Sequence, residues 1–468
     1  MIEFYTPNDF LGGSDSERIQ LAIDAAAEKN IGRVVIPSYN KASDTKRWVI
    51  DKTILLPSDM TVILDNAQLI MAEGVMCRMF ENSNATIPIG KSKEGEQKNI
   101  NIIGVGKSVL DGGIHNGLTE TTASEKGMPS IHNNITLYFH NVRDFRIENL
   151  VVRNQRWWGI EMIFSRYGQV KNIHFEIEYR DNYWKNQDGV DIRIGCNNIL
   201  VENITGETGD DVIALTALNP KDECVEGKDY NIHDIVIRNV RAFCNECAIV
   251  RLLNHYGRKL YNITIDGVVD TSVPKETSRV GNVIRIGDDA YYQTEEQRAK
   301  LGDTYNISIN NVFSRAMAAV HMEVTVKNLH VSNVFVHTDG QYGIVFGPYE
   351  FWLDWPMFMY TPDKWNLLKN VYLKPIGKKK LTEGKSYIDD EAIRMGKIMP
   401  SGLNAENVLI ENIYYTAKCE VDGFTPSIIA INNASLKNVT LKNINRDENI
   451  TRLGYAKRRD GEDEVEFI

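Results

Sequence analysis

Four carboxylates stand near one another in the sequence. Asn186-Gln-Asp188-Gly-Val-Asp191 is followed, 22 residues after Asp188, by Gly209-Asp210-Asp211-Val-Ile-Ala-Leu215. In a chain of short stacked strands that interval is close to one coil, and neighbouring rungs lie about 4.8 Å apart. The spacing therefore predicts three or four carboxyl groups facing one groove. Like charges that close do not all ionise cheaply, so at least one keeps its proton near neutral pH. A proton donor beside ionised carboxylates is what acid/base cleavage of a glycosidic bond requires. The same oxygen-rich cluster also suits Ca²⁺, which takes about six to eight oxygen ligands.

Neighbouring residues would supply substrate contacts. Asn186 and Asp191 belong to the motif itself. Trp157 and Trp158 lie one coil before it, and Tyr183 and Trp184 immediately precede Asn186. Aromatic faces pack well against sugar rings, although a Trp in a stacked-strand fold also packs between sheet and loop. Arg285, in Val283-Ile-Arg-Ile-Gly-Asp-Asp289, falls on a later strand and would hold a hydroxyl or carboxylate, or else a structural ion pair. Arg251, Arg258 and Lys259 offer further positive charge, and His255 follows Arg251 in the next loop.

The elements that position these residues are repeats. An Asn followed by alternating apolar residues recurs at Asn99, Asn172, Asn198, Asn231, Asn262, Asn306, Asn328, Asn407 and Asn438, as in Asn198-Ile-Leu-Val-Glu-Asn-Ile. Steps of 26 (172 to 198), 33, 31, 44 and 22 residues give a unit of 22 to 30 residues with loops inserted. Period-two alternation makes each unit a strand. Asn tolerates the left-handed turn conformation, and its amide can ladder onto the Asn of the next coil. These features predict an all-β fold, a right-handed parallel β-helix. At the start, Ser14-Asp-Ser-Glu17 is a capping box opening a helix that Gly32 closes before a strand at Arg33-Val-Val-Ile-Pro37, the terminal cap that a solenoid needs.

One β-helix domain is expected over 1–468: a cap and first coils to 97, central coils over 98–342, an inserted aromatic-rich loop over 343–398 and C-terminal coils over 399–468.

At the carboxylate motifs the chain resembles glycoside hydrolase family 28, the polygalacturonase family within the pectin-lyase-like β-helix superfamily. That family's pattern runs Asn-x-Asp, an Asp-Asp pair about one coil on, Gly-His-Gly, then Arg-Ile-Lys. Asn186-Gln-Asp188 and Gly209-Asp210-Asp211 match the first two elements. The resemblance makes Asp210 the general acid, and Asp188 with Asp211 the pair that activates the attacking water, with inversion at the anomeric carbon. Asn245-Glu-Cys247 stands in place of Gly-His-Gly, leaving His255 to reach in from the following loop. Arg285-Ile-Gly287 stands in place of Arg-Ile-Lys, which removes one of two cationic partners of a uronate.

The resemblance implies an inverting glycoside hydrolase acting on a pectin-like or related plant oligosaccharide and needing no cofactor or metal, and the long inserted loops and missing secretory pattern make exo action the expectation. Two rivals stay open: a lyase or epimerase with a metal at the Asp cluster, and a carbohydrate-binding solenoid without catalysis.

Composition sets the remaining bounds. With 43% apolar and 25% charged residues in 468, the chain is an ordinary globular one. A formal net charge of −10 argues against a nucleic-acid partner, and the basic runs Lys378 to Lys380 and Lys457 to Arg459 read as solvated surface. No stretch has the length and apolarity of a membrane span, and Met1-Ile-Glu-Phe-Tyr-Thr lacks a secretory pattern, so the expectation is a cytoplasmic protein, or a secreted or periplasmic one whose signal has been removed. Six cysteines are too sparse for a disulfide framework, and the Cys244-x-x-Cys247 pair reads as buried thiols in preference to a zinc or redox site.

Overall fold

A computed structural model describes residues 3–178, 186–218, 223–245, 247–272, 281–288, 297–337, 342–347, 403–416, 427–432, 434–444, 450–453 and 465–467. The chain divides into two compact units, Met1–Asp210 with Pro220–Asn231, and Asp211–Asn219 with Ile232–Ile468. The fold is the expected right-handed parallel β-helix, the hand that parallel strand crossovers adopt almost without exception.

In the first unit the capping box forms as read: Glu17 N donates to Ser14 Oγ at 3.4 Å and Ser14 N to Glu17 Oε2 at 2.9 Å. The helix Asp15–Glu28 buries Ile19, Ala22, Ile23 and Ala26 completely, the one stripe that its apolar spacing allows. Gly32, at φ +61°, turns the chain into strand Arg33–Pro37. That strand begins a parallel ladder through Met60–Asp65, Gln97–Val105, Val142–Arg153, Arg166–Glu176 and Asn197–Thr208. A second ladder runs Ile54–Leu56, Phe80–Asn82, Leu137–His140, Ile160–Ile163 and Val190–Arg193. Ile54, Phe80, Leu137, Ile160 and Val190 stack as a fully buried inward column. Strand alternation then sends the next residues outward, so Leu55, Glu81, Tyr138, Glu161 and Asp191 align side by side.

Asparagines turn the corners. Asn149, Asn172 and Asn203 all have φ between +54° and +61°. Asn172 Nδ2 donates to Asn149 Oδ1 at 2.7 Å, and Asn203 Nδ2 to Asn172 Oδ1 at 2.8 Å. One expected repeat step is corrected here. Asn172 registers with Asn203, since Lys171 pairs with Glu202 and Ile173 with Ile204, so the coil is 31 residues long and the 26-residue step to Asn198 is not one. Each of these strands carries two left-handed corners, and in the earlier one Tyr167, at φ +55°, occupies the position equivalent to Asn198.

The second unit repeats the architecture. One ladder joins Ile213–Ala217, Ala248–Asn254, Asn282–Ile286, Ala318–Met322, Tyr342–Phe346, Ser427–Asn432 and Ile450–Leu453. The other joins Ile232–Cys244, Leu260–Asp270, Thr304–Ser314, Val326–Val336, Leu403–Tyr415, Ala434–Lys442 and Val465–Phe467. The 44- and 22-residue steps are true coils: Asn306 Nδ2 donates to Asn262 Oδ1 at 3.1 Å and Asn328 Nδ2 to Asn306 Oδ1 at 2.9 Å. At the coil before them the corner falls on Asp234, φ +55°, which accepts the Asn262 amide; Asn231 does not fill that place.

Strand Tyr342–Phe346 carries the ladder into the first residues of the expected insertion. Its aromatics, from Tyr349 to Trp365, and the two basic runs lie outside the described residues. Among the described residues no helix is long and apolar enough to cross a membrane. Among the described residues no cysteine forms a disulfide: Cys196, Cys244 and Cys247 are buried, and Cys77 and Cys224 are partly exposed.

Candidate active site

In the first unit, the loop before strand Val190–Arg193 brings two of the motifs together. Gln187 O accepts the amides of both Gly209, at 3.1 Å, and Asp210, at 3.4 Å. The residue preceding Asp188 is thereby tied to Asp210 itself, one coil further on. Gln187 is fixed in turn by its Nε2, which donates to Gln155 O at 2.7 Å one coil earlier. Asp188 O accepts from Gly159 N at 2.9 Å. The Asp188 and Asp191 side chains are buried, whereas Asp210 is partly exposed to solvent. Asn186 occupies a left-handed corner at φ +55° at the head of this loop.

In the second unit, Asp211 is fully enclosed. Its Oδ1 accepts from Ala248 N at 3.0 Å and its Oδ2 lies 3.0 Å from Arg251 Nε. Burial pushes the Asp211 carboxyl pKa up, and the Arg251 guanidinium opposes that shift. Arg251 and Arg285 occupy one register position on adjacent strands. Between them lies Asp288, 3.7 Å from Arg251 Nη1 and 3.0 Å from Arg285 Nη2. Arg285 also donates to Glu323 through Nε at 2.9 Å and Nη2 at 3.1 Å, and to Cys247 Sγ at 3.4 Å. At 1% exposure Arg285 is enclosed by its ion pairs, which is the structural alternative its sequence context left open. His255 is also buried, its ring edge-on to Tyr256 with centroids 5.8 Å apart and its amide donating to Ala217 O at 3.1 Å.

The tryptophans separate. Trp157 is buried, and Trp158 remains partly exposed with its centroid 5.6 Å from that of Trp157. Trp184 lies outside the described residues.

Sequence reading missed the company that Trp158 keeps. His132 meets its ring edge-on at 5.4 Å, and the Arg193 guanidinium stacks on it at 4.7 Å. Both residues face Glu161, which neighbours Asp191 in the ladder. The sequence signal for Glu161 was a single acid inside the apolar strand Ile160–Ile163. No spacing rule links it to His132 or Glu223, which reach it from separate loops.

Residues 48–228 match glycosyl hydrolases family 28, so the resemblance seen at the motifs holds over this segment, which contains Asp188, Asp191 and Asp210–Asp211. The fold and this match define a β-helix carbohydrate-active protein. Among solved structures, the A-module of mannuronan C-5 epimerase from Azotobacter vinelandii is similar with a TM-score of 0.54 at 12% identity, over 99% of this chain and 97% of that one. The tailspike protein of E. coli bacteriophage HK620, solved in complex with a pentasaccharide, has a TM-score of 0.51 at 12% identity, over 94% of this chain and 66% of that one. The family 28 exopolygalacturonase of Yersinia enterocolitica is 12% identical, over 98% of this chain and 79% of that one, with a TM-score of 0.47. At such identities the likeness concerns the fold. No curated protein matches the chain.

Proposed function

We propose that this protein is an inverting glycoside hydrolase acting on a pectin-like or related plant oligosaccharide, in exo fashion. Asp210 is the general acid, and Asp188 is the base toward water. Asp211 enters the same role as Asp188 through the family resemblance.

The observation that carries the reading is the pair of hydrogen bonds from Gly209 and Asp210 to Gln187 O. They fasten the Asp-Asp motif to the Asn-x-Asp motif across one coil, inside the segment that matches family 28. Asp210 is the one of the four motif carboxylates that is not buried, as a group that hands a proton to a leaving oxygen must be. The enclosed guanidinium of Arg285 supports a substrate whose recognition does not depend on it.

The test is a panel of pectic and neutral oligosaccharides with the anomer of each product followed by proton NMR. Asp210→Asn should lower turnover by about 10²–10⁴-fold with binding retained. Retention of configuration, or an unsaturated product absorbing in the ultraviolet, would replace this reading with a retaining hydrolase or a lyase.

A further inference from the structure

Away from the Asp motifs, the first unit holds a second cluster whose polar atoms converge, two of them without a hydrogen-bond partner. Glu161 is completely enclosed on strand Ile160–Ile163, yet its Oε2 has no hydrogen-bond partner. His132 Nδ1, also shielded from solvent and without a hydrogen-bond partner, lies 3.8 Å from that oxygen and 3.9 Å from Glu223 Oε1. The three donor atoms all fall within 4.8 Å of one another.

Each is held from behind. His132 sits on the short helix Ile131–Asn134, capped by Ser130 and anchored where Arg78 Nε donates to His132 O at 3.0 Å. Glu161 Oε1 faces Arg193 Nη1 at 3.5 Å. The carbonyl of Glu223 accepts from His140 Nε2 at 2.8 Å. Outer contacts of this kind orient metal ligands.

The charge around the cluster is unbalanced. Arg193 Nη1 lies 3.5 Å from Glu161 Oε1, and Arg78, which gives its Nη1 to Glu81 at 2.6 Å, also acts on Glu161 and Glu223, so two guanidiniums stand against the three carboxylates of Glu81, Glu161 and Glu223. One buried or half-buried carboxylate in excess calls for a compensating cation or for a proton.

We propose that His132, Glu161 and Glu223 form a binding site for a first-row divalent cation of the Mn²⁺ to Zn²⁺ kind. One imidazole nitrogen and two carboxylate oxygens make a mixed donor set suited to such ions. Bonds of about 2.1 Å at tetrahedral angles set ligand atoms about 3.4 Å apart, so the two His132 distances of 3.8 and 3.9 Å close by about half an ångström and the two carboxylate oxygens, within 4.8 Å of each other, by at most about 1.4 Å. The His132 and Glu223 side chains are 30% and 23% exposed, which gives the ion a way in and leaves room for a bound water. The proposal stands apart from the acid/base reading above and does not depend on it.

The test uses the full chain stripped with chelator, titrated with Mn²⁺ and separately with Zn²⁺ by calorimetry, with Mn²⁺ followed by electron paramagnetic resonance. The expected result is one ion per chain, weakened at least about tenfold by His132→Ala and by Glu223→Gln. Glu161→Gln is the riskier variant because it leaves Arg193 enclosed. A readout that needs no variant is the rate at which diethylpyrocarbonate modifies His132, mapped by mass spectrometry; bound Zn²⁺ should slow it. Absence of one-to-one binding by the wild-type chain, variants that bind as the wild type does, or an unchanged His132 modification rate would each overturn the proposal.

Discussion

Arg251 Nε lies 3.0 Å from Asp211 Oδ2 in the second unit, where the Asp211 side chain is enclosed and that of Arg251 is 11% exposed. A buried charge pair adds little by comparison with an apolar pair, but breaking it strands a charge. Arg251→Met should therefore cost about 3–5 kcal/mol, read from the guanidinium chloride midpoint. Adding Asp211→Asn should recover part of that loss, because the stranded carboxylate is gone. A neutral Arg251→Met would mean that water or the Ala248 amide already satisfies Asp211.

The left-handed corner at Asn172, φ +54°, separates backbone strain from the amide ladder. Asn172→Ala should cost about 1–2 kcal/mol for the conformation alone, since a Cβ without a local hydrogen bond is disfavoured there. Asn172→Gly loses the same side-chain bonds to Asn149 and Asn203 yet adopts the corner freely, so it should be the milder change. Equal losses in thermal melts would show that the ladder bonds dominate.

Phe145 and Gly168 occupy one register position on adjacent strands, and a Cβ on Gly168 would run into the Phe145 ring. Gly168→Ala should destabilise by about 1–3 kcal/mol through overpacking. Phe145→Leu in the same chain should relieve much of that, so the double variant melts above the sum of the two singles.

His140 predicts how stability responds to acid. Burial holds its imidazole pKa below the ordinary 6.5, and Nε2 carries the proton, because the Glu223 carbonyl it faces can only accept. As pH falls below 6.5 the unfolded chain takes up a proton that the folded chain refuses. Stability then drops, by at most about 1.4 kcal/mol per pH unit, until the folded imidazole also titrates. Denaturant midpoints between pH 7.5 and 5 should show a shallower slope in His140→Gln, which keeps a donor toward Glu223. An identical slope would remove His140 from the account.

The architecture was legible because its signal is local. Period-two alternation and an Asn at each corner are written strand by strand, and the capping box at Ser14 and Glu17 is a four-residue pattern that folded as read. Register was less legible. Asn172 and Asn198 both begin the same phrase, and only the pairing of Asn172 with Asn203 tells the two corners of a strand apart. The Asp motifs were visible because family spacing marks them. Glu161, His132 and Glu223 were not, since their meeting depends on where loops of unrelated length return, and Arg285 showed its charge but not its enclosure by Asp288 and Glu323.

The same corner bond spans very different stretches of chain. Asn328 reaches Asn306 across 22 residues, and Asn407 reaches Asn328 across 79, with donor-to-acceptor distances of 2.9 and 3.1 Å. The corner bond thus keeps nearly the same length whatever the stretch of polypeptide between its partners. A lineage can lengthen one excursion, and so acquire a new contact surface, while the rungs above and below keep their alignment.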